Sequence, residues 1–282
     1  MNGKRVLITG ATNGIGLAAA KALTALGADV VIVGRSTTKA RVAAADIKSA
    51  VRGASVETLI ADLSSQASVR KLAAEVLSGY PRLDVLINNA GAMHAKRQLT
   101  KDGIELTWAV NHLAPFLFTS LLLDRLKESA PARIITTASR AHEGARIPFD
   151  DFTAERSYRS FGRYGETKLA NILFTFELAR RLEGTNVTAT CFHPGLVATG
   201  FNRNNGPIMD FGMTILKPAS RTPEKGAETL VWLATSSEVA NVSGAYFFDK
   251  EQRPPSPEAQ DRNVARRLWE ASEQQCSKSD SR

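Results

Sequence analysis

Residues 5–16 read RVLITGATNGIG: a β-branched apolar run, a glycine-rich turn and the start of a helical pattern follow one another without interruption. Gly10 suits the tight bend, Gly14 lets a backbone approach a pyrophosphate, and Gly16 lets helix and strand pack closely. A helix that begins behind such a turn directs free N–H groups and a favourable dipole at an anion. An ordinary structural turn is the alternative, but the strand–turn–helix order favours a dinucleotide-binding loop. The residues assigned to the cofactor here are Gly10, Thr12, Asn13, Gly14, Ile15 and Gly16.

Six further strand-like runs continue the alternation that begins at residues 5–9. They lie at residues 29–34, 55–61, 83–88, 133–138, 186–192 and 244–248, with helical patterns between them. Runs such as VVIV and VLI are apolar on both faces, which is typical of parallel strands covered by helices on both sides. The pattern predicts an α/β fold, a single doubly wound (Rossmann) domain of about seven parallel strands, with ligands at the carboxyl ends of the strands.

The chain shows no internal repeat and no linker, so we expect one domain over residues 1–250 that includes a loop at 200–222. Residues 251–282 are expected to add a C-terminal helix and a polar tail that pack on the same domain.

Composition and charge exclude several classes of protein. Of the 282 residues 43% are hydrophobic and 23% charged, as in a folded domain with a core, and the net charge is +8. Residues 1–52 hold eight Lys/Arg and two Asp/Glu, or +6, whereas the tail from Glu251 is neutral. No basic run with interleaved aromatic residues indicates nucleic acid as a partner.

Membrane and redox signals are equally sparse. No signal peptide is recognised, and the apolar run at residues 109–123 is broken by Asn111, His112 and Pro115, so we expect no integral membrane anchor. Two cysteines form neither a disulfide framework nor a metal-ligand pattern. We therefore expect a reduced, cytoplasmic protein without a metal.

The end of the second strand indicates which dinucleotide binds. An acid usually follows this strand where the ribose 2′-OH of NAD is bound, but Gly34 and Arg35 stand here. A guanidinium suits the 2′-phosphate of NADP, with Ser36 and Lys39 as helpers. An exposed arginine on a turn is the alternative reading; we favour NADP(H).

Two further strand ends contribute candidate cofactor residues. Asp62 and Leu63 follow the third strand, where the adenine is expected, although Asp62 could instead cap the next helix. The turn after the fourth strand contributes Asn89, Ala90 and Gly91, for which a plain turn is the alternative.

Tyr164 and Lys168 lie four residues apart in the stretch FGRYGETKLANILF, and so on one face of a helix. A free phenol titrates near ~10, too high for an effective base at neutral pH. A neighbouring ammonium favours the phenolate and would lower that pKa. Taken alone, such a spacing is common on surface helices and carries little weight.

The motifs TGATNGIG, NNAG, AVNHLAPF, IITTAS, YGETK and HPGLVAT occur in this order, each in the expected element. Together they resemble the short-chain dehydrogenase/reductase family over residues 3–250. The stretches VNHLAPFLFTSLLLDRLKESAPARI, KLANILFTFELARRLEGTNVT and NVARRLWEAS are similar to its retinol-dehydrogenase-like branch. That branch, as the resemblance implies, reduces or oxidises lipophilic aldehydes, ketones and alcohols, usually with NADP(H).

The resemblance implies a catalytic group of four residues: Asn111, Ser139, Tyr164 and Lys168. Tyr164 would be the acid/base, and Lys168 would lower its pKa and bind the nicotinamide ribose. Ser139 would stabilise charge on the substrate oxygen, and Asn111, at a helix irregularity, would hold a relay water. Each could have a purely structural role, but all four occur in register with the glycine loop.

The HPGLVAT turn adds Pro194, Gly195, Val197 and Thr199 to the cofactor site by the same resemblance, and we interpret His193 as a packing residue. Residues 200–222 would cover the substrate; their apolar side chains suit a lipophilic ligand or fill the protein's own core. A steroid- or sugar-type NADP-dependent dehydrogenase and a non-catalytic NADP(H)-binding sensor are the alternatives. The sequence leaves open the substrate, the direction of reaction and whether the chain forms a homodimer.

Overall fold

A computed structural model describes residues 1–197 and 220–277 of the chain. Its strands are β1 (Arg5–Thr9), β2 (Asp29–Gly34), β3 (Val56–Ile60), β4 (Val85–Asn88), β5 (Ala132–Thr137), β6 (Val187–Phe192), β7 (Ala245–Phe248) and β8 (Glu251–Gln252). These eight strands form one sheet in the order β3-β2-β1-β4-β5-β6-β7-β8. The seven predicted strands are all present and parallel. The eighth, β8, pairs antiparallel to β7 and has only two residues, too few to give a periodic signal.

Helices cover both faces of the sheet, as the sequence predicts. They are α1 (Gly14–Ala25), α2 (Thr37–Ala50), α3 (Gln66–Gly79), α4 (Leu106–Trp108), α5 (Ala114–Glu128), α6 (Ser160–Arg181), α7 (Pro223–Thr235) and α8 (Arg262–Ser277). A π-helical turn, Ala109–Leu113, joins α4 to α5, and 3-10 turns occur at Arg140–His142 and Pro257–Gln260.

The side chains of β1 alternate between the two faces of the sheet and so contribute to two hydrophobic cores. Leu7 packs on the face that carries α3, α5, α6 and α8, whereas Val6 and Ile8 pack on the face that carries α1, α2 and α7. All three side chains are 0% exposed. Such strands read as continuous apolar runs because neither face meets water.

The strand order reverses direction between β1 and β4. The chain runs outward through β2 and β3, then returns to place β4 on the other side of β1. In open α/β sheets the crevice for a ligand lies at the carboxyl ends of the strands at this point. The glycine turn after β1 and the turn after β4 therefore become neighbours.

One helical stretch, Leu106–Glu128, is long and apolar enough by length and composition to cross a membrane. It extends beyond residues 109–123, the apolar run on which the sequence analysis based its expectation of no membrane anchor. In the fold, 67% of its most apolar window is buried inside the protein. It packs on α3 and β5 as a central helix of the core. Such a core helix meets the same criteria of length and composition.

Candidate active site

The glycine turn and the turn after β4 form one hydrogen-bonded unit. Gly10 has φ +67°, and a Cβ there would lie 2.7 Å from Cα of Ala90, so only glycine fits. The Thr9 hydroxyl accepts the N–H groups of Asn89 and Ala90, each at 3.1 Å. The Asn89 amide donates to the carbonyls of Thr9 and Gly10 at 3.0 and 3.2 Å. Asn89, predicted to bind the cofactor, thus uses its amide to hold the loop in shape.

The N-terminus of α1 is open to an anion. Asn13 precedes the helix in an extended conformation and makes no capping bond with its side chain, and no acid lies in the first turn. The first N–H groups of a helix have no partner within the helix and carry the positive end of its dipole. Thr12 packs against the backbone of Gly34 and Ile15 against that of Gly226, which anchors the loop on both sides. The loop therefore fits a pyrophosphate.

The residues after β2 present exposed positive charge. Arg35 and Lys39 are exposed, and within residues 1–197 and 220–277 neither forms an ion pair. Ser36 caps α2, where its hydroxyl accepts the N–H of Lys39 at 3.4 Å. A guanidinium just before α2 and an ammonium in its first turn, neither paired with a carboxylate in the described ranges, suit a phosphate.

Asp62 does not cap α3, whose N-cap is Ser65, and its role at the adenine stays a prediction. Its Oδ1 accepts both the N–H and the hydroxyl of Ser64, at 3.0 and 2.7 Å, in the exposed turn before α3. The neighbouring Leu63 lines a cavity of about 10 Å³ together with Thr9 and Ala90. Both residues lie at the sheet edge where the adenine was expected.

Asn111 lies in the π-helical turn, the irregularity that the sequence predicts, and is 0% exposed. Its Oδ1 accepts the Ala92 N–H at 2.7 Å, and its Nδ2 donates to the Ala92 carbonyl and the Thr167 hydroxyl at 2.8 and 3.0 Å. Both ends of the amide are engaged in these bonds. The side chain joins the turn after β4 to α6, and the relay water stays a prediction.

Ser139, Tyr164 and Lys168 meet where β5 ends and α6 begins. The phenol of Tyr164 is half-buried and hydrogen-bonded to the Ser139 side chain. Nζ of Lys168 lies 5.5 Å from the centroid of the Tyr164 ring and donates to the Thr137 carbonyl at 2.8 Å. Lys168 itself is 2% exposed. Three of the four predicted catalytic side chains are therefore in one cluster.

Burial governs the protonation of this cluster. Burial raises the pKa of Tyr164 to about 12, against a smaller lowering by the Ser139 hydrogen bond. Burial lowers the pKa of Lys168 to about 8. Burial outweighs the hydrogen bond in setting the pKa of the phenol, and a lowering of that pKa by Lys168 stays a prediction. At pH 7 the phenol is protonated and the ammonium still carries its charge.

The turn after β6 holds further residues that were predicted to bind the cofactor. Gly195 has φ +78°, and a Cβ there would lie 2.8 Å from Nε of Arg221. The Arg221 N–H donates to the Leu196 carbonyl at 2.7 Å, and Val197 is buried and forms a β-bridge with Arg221. Pro194 is half-buried at the start of the same turn. Thr199 and residues 200–219 of the substrate loop lie outside the described residues.

His193 has the packing role assigned to it. Its ring stacks on Phe248 with the centroids 4.0 Å apart and the planes 6° apart. Burial lowers its pKa to about 4, so it is neutral at pH 7.

Sequence reasoning missed a second histidine, His142. Its Nδ1 bonds the Ser139 carbonyl at 2.7 Å, and its Nε2 accepts the Ser256 N–H at 3.1 Å. This pairing needs a neutral ring that carries its proton on Nδ1. It braces the turn of Ser139 with the segment after β8, and no local pattern signals a contact between residues so far apart in the chain.

The charged residues Glu105 and Arg163, which also escaped the sequence analysis, form a buried ion pair next to this cluster. Each looks like an ordinary surface residue at the start of a helix. The pairing depends on two helices that α5 and β5 separate in the chain, so only the tertiary structure reveals it.

Comparison with known proteins agrees with this geometry. The family described as short chain dehydrogenase has a sequence model that matches residues 4–208. Retinol dehydrogenase 14 of Homo sapiens is 45% identical, over 97% of this chain and 86% of that protein. Retinol dehydrogenase 13 of Homo sapiens is 42% identical, over 95% of this chain and 82% of that protein.

Solved structures share the fold. A protein from Mycobacterium paratuberculosis has a TM-score of 0.79 at 32% identity, covering 98% of this chain and 94% of its own. A short chain dehydrogenase from Burkholderia cenocepacia in complex with NADP has a TM-score of 0.69 at 29% identity, covering 87% of this chain and 96% of its own. Together with the glycine loop and the tyrosine–lysine pair, these matches establish that the chain belongs to the short-chain dehydrogenase family of oxidoreductases, in its retinol-dehydrogenase-like branch.

Proposed function

We propose that this protein is an NADP(H)-dependent oxidoreductase that transfers a hydride between the nicotinamide and a lipophilic aldehyde, ketone or alcohol. The observation that carries the proposal is the cluster of Ser139, Tyr164 and Lys168 at the sheet edge that also holds the glycine loop. When bound, the cofactor would supply or accept the hydride, and Tyr164 would supply or accept the proton.

The protonated phenol suits Tyr164 to donate a proton when a carbonyl is reduced. A pKa of about 12 keeps the proton on Tyr164 at pH 7, ready for transfer to the oxygen of a carbonyl as negative charge develops there. The Ser139 hydroxyl, already bonded to the phenol, is a second group for that oxygen. The Lys168 ammonium, fixed by the Thr137 carbonyl, would bind the ribose hydroxyls and favour the phenolate left after transfer.

The choice of NADP(H) rests on the residues after β2. Arg35 and Lys39 are exposed cations that pair with no acid of residues 1–197 and 220–277, which favours an additional phosphate over a bare ribose hydroxyl. The relative from Burkholderia cenocepacia was solved with NADP. For the substrate, the support is the name of the retinol dehydrogenases that this chain resembles over nearly its whole length. We also propose a cytoplasmic location, since neither cysteine is in a disulfide.

The test is NADPH oxidation, with NADH in parallel, against carbonyls that range from small and polar to long and apolar, retinal included. We expect turnover of long apolar carbonyls with NADPH and its loss in Tyr164→Phe, which retains the ring but lacks the acidic O–H. Tyr158→Phe is the matched control, because that phenol donates to the His94 carbonyl instead.

A non-catalytic NADP(H) sensor is the alternative. Tight NADPH binding without turnover of any carbonyl or alcohol in the panel would favour it over an enzyme.

A further inference from the structure

The ion pair between Arg163 and Glu105 is almost completely buried beside the candidate active site. Arg163 is 2% and Glu105 0% exposed, and Nε lies 2.7 Å from Oε2. The same guanidinium reaches Glu166 at 2.9 Å, donates to the Phe152 carbonyl, and lies 4.9 Å from the centroid of the Trp108 ring. Each nitrogen of Arg163 therefore has a partner, and those partners come from three separate parts of the fold.

Burying this ion pair at these positions costs free energy. Glu105 is well placed, because its oxygens accept the N–H groups of Thr107 and Trp108 at the start of α4. Arg163 lies in the first turn of α6, where the helix dipole disfavours a cation. Removing two charges from water also costs free energy that their attraction need not recover. Stability alone is therefore a weak reason for the pair, which points to a role in geometry.

A second connection joins the same two segments. The Thr167 hydroxyl donates to the Tyr164 carbonyl at 2.7 Å and accepts from Asn111 at 3.0 Å. On its other side α6 presses on the turn after Ser139, since a Cβ at Gly165 would lie 2.5 Å from the Ala141 carbonyl oxygen. The first turns of α6 are thus held at residues 163, 165 and 167, and Tyr164 stands among these contacts.

We propose that Arg163 is a positioning residue, which holds the Tyr164 phenol against Ser139 through its buried pair with Glu105. The inference rests on the proposed function, in which Tyr164 is the acid/base. Besides the Thr167 bond to Asn111 in the π-helical turn, the pair is a polar contact that sets the position of the first turn of α6 relative to α4. A displacement of about 1 Å at a reacting group can cost about 100-fold in rate.

The same helix supplies a matched control. Arg181, near the end of α6, pairs with Glu177 at 2.8 Å and lies 4.3 Å from the centroid of the Trp269 ring. Like Arg163 it contacts a carboxylate and an aromatic ring, but it is 41% exposed and lies seventeen residues along the helix from Tyr164. Arg181→Met removes an ion pair and a ring contact from the same helix without touching the active site.

The experiment compares the full-length chain with Arg163→Met/Glu105→Gln, Glu105→Gln and Arg181→Met. The glutamine retains an oxygen for the N–H groups at the start of α4, and the double variant leaves no charge at residues 105 and 163. Glu166, which is 28% exposed, loses its partner Arg163. With NADPH and a carbonyl that the wild type reduces, we expect kcat of the double variant to fall about 10- to 100-fold, with KM for NADPH within about twofold. Glu105→Gln should show a smaller loss of the same kind, and Arg181→Met none.

A second readout does not need turnover. In protein labelled with ¹³C at Cζ of tyrosine, the signal of Tyr164 is assigned by its absence in Tyr164→Phe. We expect it to shift or broaden in the double variant and in Glu105→Gln, as its bond to Ser139 is lost, and to stay in place in Arg181→Met. If the wild type reduces no carbonyl, the proposed function fails and this comparison alone decides the inference.

Unchanged kcat together with an unchanged Tyr164 signal in the folded double variant would overturn the proposal. An equal loss of kcat in Arg181→Met would overturn it too, since it would reveal a general effect of weakening α6. Should the double variant fail to fold, Glu105→Gln is judged by the same two criteria.

Discussion

Replacing Lys168 by methionine should make the protein more stable while removing its activity. Lys168 is 2% exposed, and burial lowers its pKa from 10.5 to about 8. At about 1.4 kcal/mol per pKa unit, keeping the ammonium charged inside the fold costs about 3 kcal/mol. Methionine fills a similar volume without a charge, but it loses the bond to the Thr137 carbonyl, worth about 1 kcal/mol. The free energy of unfolding at pH 7 should rise by about 2 kcal/mol, and Tm by about 4 °C.

The pH dependence isolates this cause. The pKa of Lys168 is lower in the folded protein than in the unfolded chain, so the unfolded chain binds the proton more tightly between pH 8 and 10.5. The destabilisation by the buried ammonium is therefore fully present below pH 8 and disappears progressively as the pH rises toward 10.5. Between pH 7 and 9.5 the stability advantage of Lys168→Met should shrink by about 2 kcal/mol.

Urea denaturation of the cofactor-free protein at pH 7 and pH 9.5 measures both quantities. Lys48→Met, at an exposed position on α2, is the control and should change stability by less than about 0.5 kcal/mol. A destabilised Lys168→Met, or an advantage that is the same at both pH values, would refute the reasoning.

Two further predictions concern the cofactor site. Arg35→Ala should raise KM for NADPH about 10-fold or more and leave KM for NADH unchanged, since only NADPH carries the extra phosphate. Steady-state kinetics with both cofactors checks this, with Arg41→Ala at an exposed position on α2 as the control. Equal effects on both cofactors would contradict the prediction. Gly10→Ala should destabilise the fold by about 3 kcal/mol or more and weaken NADPH binding, because strain at φ +67° adds to a 2.7 Å clash with Ala90. Gly53 has a similar φ of +75°, but a Cβ there would meet no atom within 4 Å. Gly53→Ala should therefore lose less stability in thermal unfolding, and its loss measures the backbone strain alone. Equal losses of stability in the two variants would argue against the clash.

The fold was predictable because each strand of a parallel sheet carries its own signal. Runs such as DVVIVG are apolar on both faces, and the glycine turn after β1 orients the whole sheet. Among the strands of the described residues, β8 was the one not predicted, because two residues give no periodicity. The direction of the chain at the switch point then brings the predicted strand ends together without further information.

The site was predictable where a residue type is tied to a local motif, and not where its chemistry depends on distant neighbours. Ser139, Tyr164 and Lys168 come together as the motifs indicate. The pKa of Tyr164 could not be inferred, because it depends on how much water the assembled fold excludes. The pairing of Arg163 with Glu105 was equally hidden, since the two residues are 58 positions apart.

The bond from Ser256 to His142 has a consequence for the order of events in folding. It closes a loop of 114 residues and reaches Ser139 through a single imidazole ring. Contacts of such sequence separation form only after the entropy of loop closure has been overcome, so they come after local helices and neighbouring strand pairs. We expect the turn that carries Ser139 to reach its final shape among the last parts of the molecule. During refolding, recovery of activity should accordingly lag behind recovery of helical structure.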